Sequence, residues 1–234
     1  MSAVYAILVR HGDYLQQTDT PSAHQPHPLS ALGCEQATQA ATQLAQWLDQ
    51  ENWQLCPQLH SSTLLRAWQT ASLMQKQLAL LGHRTTVQQY DALCERSVGA
   101  LANLSSAEIA RTLAQDPRCP TLPPNWKSDA HFRLPVPGAE SLQQAGARVA
   151  QHLRETMRAV LQQHGENLVQ VFVGHGASIR HAAQALGVLH PSDIPKLSMH
   201  HASLICLKWS PASDRWSHHR GDWKIRPGHE SVTD

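Results

Sequence analysis

Two short apolar runs constrain the fold of this chain more than any other feature. Val4–Val9 and Leu168–Val173 are almost wholly apolar. Runs of this length and composition fit strands covered on both faces, which is the situation inside a parallel sheet. Parallel strands need crossover connections, and helical patterns supply them. Leu32, Ala40, Ala41, Leu44, Ala45 and Leu48 repeat at helical spacing over Ala31–Leu48. Ser61 and Ser62 offer N-cap hydroxyls to a helix over Leu64–Leu80, and Ser105-x-x-Glu108 is a capping-box pattern opening a short one. Longer patterns predict helices over Leu142–Leu161 and Gly176–Leu186. Further strands are expected near Gln58–His60, over Thr85–Tyr90 and, as the last main strand, over Ser203–Trp209. The polar and aromatic residues beyond Trp209 are expected at the surface. Alternating strands and helices give an α/β fold class, a three-layer sandwich with a mostly parallel central sheet and helices on both faces.

At 234 residues the chain suits one domain with a core large enough to need no staples. A Pro-rich excursion at about residues 114–138 interrupts it, with six prolines between Asp116 and Gly138, and loops of that length are usually functional. The net charge of +1, with no Lys/Arg run, points away from nucleic acid. No apolar stretch approaches membrane-spanning length, and Met1–Arg10 lacks a basic leader, so a cytoplasmic protein is expected. Cys34, Cys56, Cys94, Cys119 and Cys206 are odd in number and contain no C-x-x-C pair, which fits a reducing compartment.

In an open α/β sheet, ligands bind just outside the carboxyl ends of the strands. Two of the predicted strands end alike there, one in Arg10-His11-Gly12 and the other in Gly174-His175-Gly176. A third leads through Ser61-Ser62 to Arg66 in the first turns of a helix, where the dipole attracts anions and a guanidinium matches phosphate oxygens in pairs. With 16 histidines in the chain, one His-Gly after a strand would usually be structural. Joint occurrence at separate strand ends is what makes these residues a candidate site for a dianion with a nucleophile inside it.

These segments resemble the histidine phosphatase (phosphoglycerate mutase-like) superfamily. The resemblance runs through Arg10-His11-Gly12, Leu29-Ser30-x-Leu32-Gly33-x-Glu35-Gln36-Ala37 and Ser61-Ser62-x-Leu64-x-Arg66-Ala67-x-Gln69-Thr70-Ala71. It continues in the same order through Leu93-Cys94-Glu95 with Gly99, Pro137-Gly138-Ala139-Glu140-Ser141-Leu142 and Gly174-His175-Gly176. It implies that His11 is the nucleophile that becomes phosphohistidine. Arg10, Arg66 and His175 would hold the phosphoryl oxygens, and Glu95 would protonate the leaving oxygen. No cofactor or metal is implied, since fixed cations supply the charge stabilisation.

Departures from the family pattern narrow the reading. Tyr14 and Gln17 stand where many members carry Ser or Thr and then Asn, and Gln17 is the candidate replacement as an accessory phosphate contact. Tyr14 and Gly176 argue against the acid-phosphatase and phytase branch. Arg96-Ser97-Val98-Gly99, and an excursion carrying only Arg118, Lys127 and Arg133, favour a phosphatase of a small phosphorylated substrate, or of a phosphoprotein, over a phosphoglycerate mutase. A non-catalytic phosphate-binding module is the third alternative. Glu140 is expected near a helix start, complementing its dipole or pairing with an active-site arginine. His200-His201 and His218-His219 are poor chelators if they lie on strands, because neighbouring side chains then face opposite ways. The scattered tryptophans fit packing rather than base stacking.

Overall fold

The computed structural model describes residues 4–21, 24–164 and 167–226. Met1–Ala3, part of the leader reading, and the last eight residues lie outside them. The chain forms β1 (Val4–Arg10), α1 (Ala31–Glu51), β2 (Gln54–Ser62), α2 (Leu65–Leu80), β3 (Thr86–Tyr90), α3 (Ser106–Ala114) and α4 (Leu142–His164). It continues through β4 (Leu168–Gly174), α5 (Gly176–Ala185), β5 (Leu197–Ser198), β6 (Leu204–Ser210), β7 (Arg215–Arg220) and β8 (Lys224–Ile225). The main sheet has strand order β3-β2-β4-β1-β6-β7, and β5 pairs with β8 separately.

The apolar runs behave as their composition requires. β1 lies at the centre, parallel to β4, and β4 is parallel to β2. Tyr5, Ile7 and Val9 pack on one face with Leu44, Leu48, Ala67 and Leu78 of α1 and α2. Ala6, Leu8 and Phe172 pack on the other with Val149, Leu153, Ile179 and Ala182 of α4 and α5. Helices on both faces make the three-layer sandwich. A third apolar cluster, including Leu101, Ile109, Trp126 and Leu134, joins α3 to the excursion.

Four features differ from expectation. β6 runs antiparallel to β1 and is followed by β7, so Ser203–Trp209 is not the last main strand. β7 buries Trp216 alone among its six residues, which hides it from an apolar count; an edge strand tolerates such a sequence. β2 is longer than Gln58–His60. Pro57 cannot donate to a ladder, and the β2–β4 register shifts between Leu55 and Leu59 around it. The Gln170 side-chain Nε2 then donates to the Gln58 carbonyl at 2.8 Å. Finally, Ser61 and Ser62 do not cap α2. Both remain in sheet pairing, Ser61 with Val173 and Ser62 with Tyr90, and the α2 N-cap is Leu64 without a side-chain bond. The capping box at Ser105 and Glu108 forms as expected.

Candidate active site

The carboxyl ends of β1, β2 and β4 converge, and the close approach is built by glycines. A Cβ on Gly12 would meet the Gly33 carbonyl at 2.5 Å, and one on Gly33 would collide with the Asp13 carbonyl. The first turn of α1 is thereby pressed against the segment after His11. Ser30 caps that turn by accepting from the Gly33 amide at 3.1 Å. Thr70 of α2 accepts from the Gly12 amide at 3.0 Å and donates to the Arg66 carbonyl at 2.7 Å. Gln69 accepts from the Leu29 amide at 2.8 Å. The Gln69-Thr70 pair of the sequence pattern therefore ties the loops around His11 to α2.

His11 is 3% exposed, and its backbone amide donates to the Gly174 carbonyl at 2.9 Å. Its Nδ1 lies 2.7 Å from the Gly12 carbonyl, which can only accept, so Nδ1 carries the hydrogen. Nε2 is left with its lone pair and accepts from Arg66 Nε at 3.1 Å. Arg66 is fully buried and also donates to the Gln25 carbonyl at 3.2 Å. Burial first, and then Arg66, His175 and Arg10, push the His11 pKa well below the ordinary histidine value. At neutral pH the imidazole is uncharged, and Nε2 keeps the lone pair of a nucleophile, held by Arg66.

His175 is 1% exposed, and its ring lies 5.1 Å from that of His11. Ser62 Oγ sits 2.9 Å from its Nε2, while Nδ1 is buried with no partner among the described residues. Burial, then Arg66 and Arg10, push its pKa well below the ordinary value too. Arg10 donates to the Met199 carbonyl at 2.7 Å, and Gly176 leaves room for it: a Cβ there would stand 3.2 Å from Arg10 Cδ.

Glu95 is 6% exposed and sits at the amino end of α5. Its Oε1 accepts from the Arg96 amide at 2.8 Å and the Ser178 amide at 2.9 Å, and its Oε2 from the Ala177 amide at 3.1 Å. Both lone pairs of Oε1 and one of Oε2 are thus engaged, and one lone pair on Oε2 is left. Glu140 pairs with Arg148, at 2.7 and 2.9 Å, not with the arginines beside His11. Burial works against its ionisation, but Arg148 and the Ser97 amide outweigh it, and the Glu140 pKa is lowered. Arg148 in turn donates to the carbonyls of Asp91, Ala92 and Cys94, which fixes the segment carrying Glu95.

His11, Arg66 and His175 are thus gathered within hydrogen-bond or ring contact of one another, with Arg10 packed against Gly176 beside His175. Gln17 is different. It is exposed, and it meets its neighbours through its backbone amide, which donates to Gln25 Oε1 at 3.2 Å. Gln25, fully buried beside Arg66, was not singled out in the sequence; it lies in an aperiodic loop and carries no signal there. Tyr14, read only as a departure, has its ring edge-on to His11 at 5.2 Å and under the Arg66 guanidinium at 4.7 Å. His200 and His201 lie in the turn before β6, not on a strand. The turn brings the His201 ring within 5.6 Å of His11 and its Nδ1 within 3.7 Å of Asp13.

The geometry can be set against known proteins. The family model for the histidine phosphatase superfamily (branch 1) matches residues 6–221. The chain is 26% identical over 227 residues to the mitochondrial serine/threonine-protein phosphatase Pgam5 of Drosophila ananassae, covering 96% of this chain and 65% of that protein. It thus spans less than two thirds of that relative's length. A mycobacterial glucosyl-3-phosphoglycerate phosphatase superposes with a TM-score of 0.69 at 25% identity, covering 94% of this chain and 98% of that one. A phosphoglycerate mutase from Bacillus anthracis shares the fold, with a TM-score of 0.68 at 19% identity over 93% of this chain and 92% of that one. The chain belongs to the histidine phosphatase superfamily, branch 1.

Proposed function

We propose that the protein is a phosphomonoesterase that transfers the phosphoryl group of an alkyl phosphate to His11 Nε2 and then to water. One observation carries the reading. A buried, neutral imidazole presents an unprotonated Nε2 to the Arg66 guanidinium, with the His175 ring 5.1 Å away. A nitrogen lone pair facing fixed positive charge is the arrangement that nucleophilic attack on a phosphate dianion requires.

In this reading the phosphoryl group displaces the Arg66–His11 contact, and its oxygens take the donors of Arg66, Arg10 and His175. The Nε2 lone pair forms the P–N bond as the ester P–O bond breaks. The leaving alkoxide takes a proton from Glu95, carried on the one Oε2 lone pair that the backbone amides leave free. Water then attacks phosphorus and returns a proton to Glu95. The P–N bond breaks and Nε2 recovers its lone pair. A metal ion has no step in this scheme, because the guanidiniums neutralise the phosphoryl oxygens. Gln17 remains an accessory contact only if its exposed side chain turns inward on binding.

The relatives' names support an alkyl ester. Phosphoserine, phosphothreonine and a 3-phosphoglycerate are all alkyl phosphates. Hydrolysis is favoured over isomerisation by the Arg96-Ser97-Val98-Gly99 run and the lack of an arginine pair in the excursion, and Arg148, beside the Glu95 segment, is already engaged by Glu140. Arg96 lies over Trp126 and donates to the Lys127 carbonyl at 3.3 Å, which anchors the excursion to the residue after Glu95 and supports its place at the substrate entrance. A cytoplasmic, reducing location agrees with five free cysteines. Among the described residues, no helix is long and apolar enough to cross a membrane.

The test is a panel of phosphosugars, phosphoserine and phosphothreonine peptides and 3-phosphoglycerate, scored for phosphate release and for isomerisation. Phosphate release that disappears in His11→Ala is expected. Isomerisation exceeding release on 3-phosphoglycerate would make the protein a mutase.

A further inference from the structure

Ser62 ends β2 fully buried, and no step above uses it. A hydroxyl has one proton and two lone pairs. Three groups surround this one: the Leu64 amide, which donates to it at 3.2 Å, His175 Nε2 at 2.9 Å and Cys94 Sγ at 3.3 Å. The neighbouring Thr63 gives its only hydroxyl proton to Asp91 Oδ1 at 2.8 Å, so the thiol is the donor in its 3.1 Å contact with Cys94. The sulfur therefore meets Ser62 as an acceptor, and a weak one. The Ser62 proton has two places to go: the sulfur, or His175 Nε2. With the proton on the sulfur, Ser62 Oγ accepts from an Nε2–H. With the proton turned to Nε2, Ser62 donates and His175 carries its hydrogen on Nδ1. Rotation about one C–O bond serves both tautomers, and the accepting orientation also serves the imidazolium.

We propose that Ser62 is the positioning residue of His175. Its hydroxyl holds Nε2 in every protonation state of the ring and leaves the buried Nδ1 to the phosphoryl oxygens, to which Nδ1–H donates when Ser62 donates to Nε2 or when the ring is an imidazolium. This rests on the reading of His175 as a phosphoryl ligand. It also assigns the second serine of the Ser61-Ser62 pair a role at the site, in place of the helix cap it does not make.

The experiment compares Ser62→Ala, Ser62→Thr, His175→Ala and the double variant Ser62→Ala/His175→Ala on p-nitrophenyl phosphate and an alkyl phosphate, with thermal unfolding of each. Ser62→Ala is expected to lower kcat about 10-fold, the effect of one buried hydrogen bond, with little change in KM. Ser62→Thr, which keeps the hydroxyl, is expected to retain most of the activity. In the His175→Ala background, Ser62→Ala is expected to cost nothing further, because the residue acts only through that ring. Should Ser62→Ala fail to fold, Ser62→Cys fills the same space with a poor hydrogen-bonding group and takes its place. Wild-type kcat in the folded Ser62 variant, or an undiminished 10-fold loss on top of His175→Ala, overturns the proposal while His175→Ala alone remains costly. Wild-type activity in His175→Ala overturns the phosphoryl-ligand reading and this proposal together.

Discussion

The lone pairs of Glu95 decide what a substitution there does. In Glu95→Gln the amide oxygen can still accept from Arg96 and Ser178, but the NH2 group then faces the Ala177 amide, donor against donor. Hydrolysis of alkyl phosphates is expected to fall by about 10²-fold or more, the usual contribution of a positioned acid. Hydrolysis of p-nitrophenyl phosphate, whose leaving group departs without a proton, should fall much less. Steady-state rates on both esters check this, and equal losses would make Glu95 a cap of α5 and nothing more. His11, His175, Arg10 and Arg66 are legible in the sequence because each lies at or just beyond the end of a strand, and two of those strands are almost wholly apolar runs. Gln25 and His201 were not legible. They reach the site from a loop and a turn, and only the folded chain sets their distance from His11. Gln17 is a candidate by its offset from His11 alone, and an offset counted along a loop does not fix where a side chain points.

At the scale of elements, legibility follows how much of a segment's apolar pattern is its own. β4 is buried along its whole length and β1 as far as Val9, so sequence and structure agree to within a residue. α1 and α4 show their stripes because each packs one face on the sheet. β2 reads short in the sequence because a proline inside a run argues against a strand, and Pro57 forces a bulge into its ladder with β4. β7 leaves no signal in the sequence because an edge strand owes its place to hydrogen bonds with β6, which composition does not record. The serines before α2 share the statistics of helix caps, and pairing with β3 and β4 determined their conformation instead. Each of these differences is a tertiary contact overriding a local preference.

At the scale of the molecule, buried neutral histidines couple stability to pH. Burial first, and then His152, holds His60 at a pKa of about 3, where it shares a 3.1 Å hydrogen bond with that residue. Burial and then Arg180 hold His181 at about 4. Both titrate near 6.5 once unfolded, so between about pH 6.5 and those lower values the unfolded chain binds more protons than the folded one. Stability is therefore complete above about pH 6.5 and is lost as pH falls toward 4 and then 3, and His11 and His175 act in the same direction. The unfolding midpoint is expected to fall steadily from about pH 7 to about pH 5, with an uptake of at least about two protons on unfolding near pH 5. A midpoint level across that range contradicts the account.

The central claim is that His11 Nε2 carries the phosphoryl group during turnover. The most direct measurement mixes the enzyme with a labelled phosphomonoester, quenches it in base within milliseconds and maps the modified peptide. A base-stable, acid-labile phosphoryl group on His11, absent from His11→Ala and formed and lost at rates compatible with kcat, is the predicted result. Turnover with no phosphoryl-protein at any time, or full activity in His11→Ala, would contradict it.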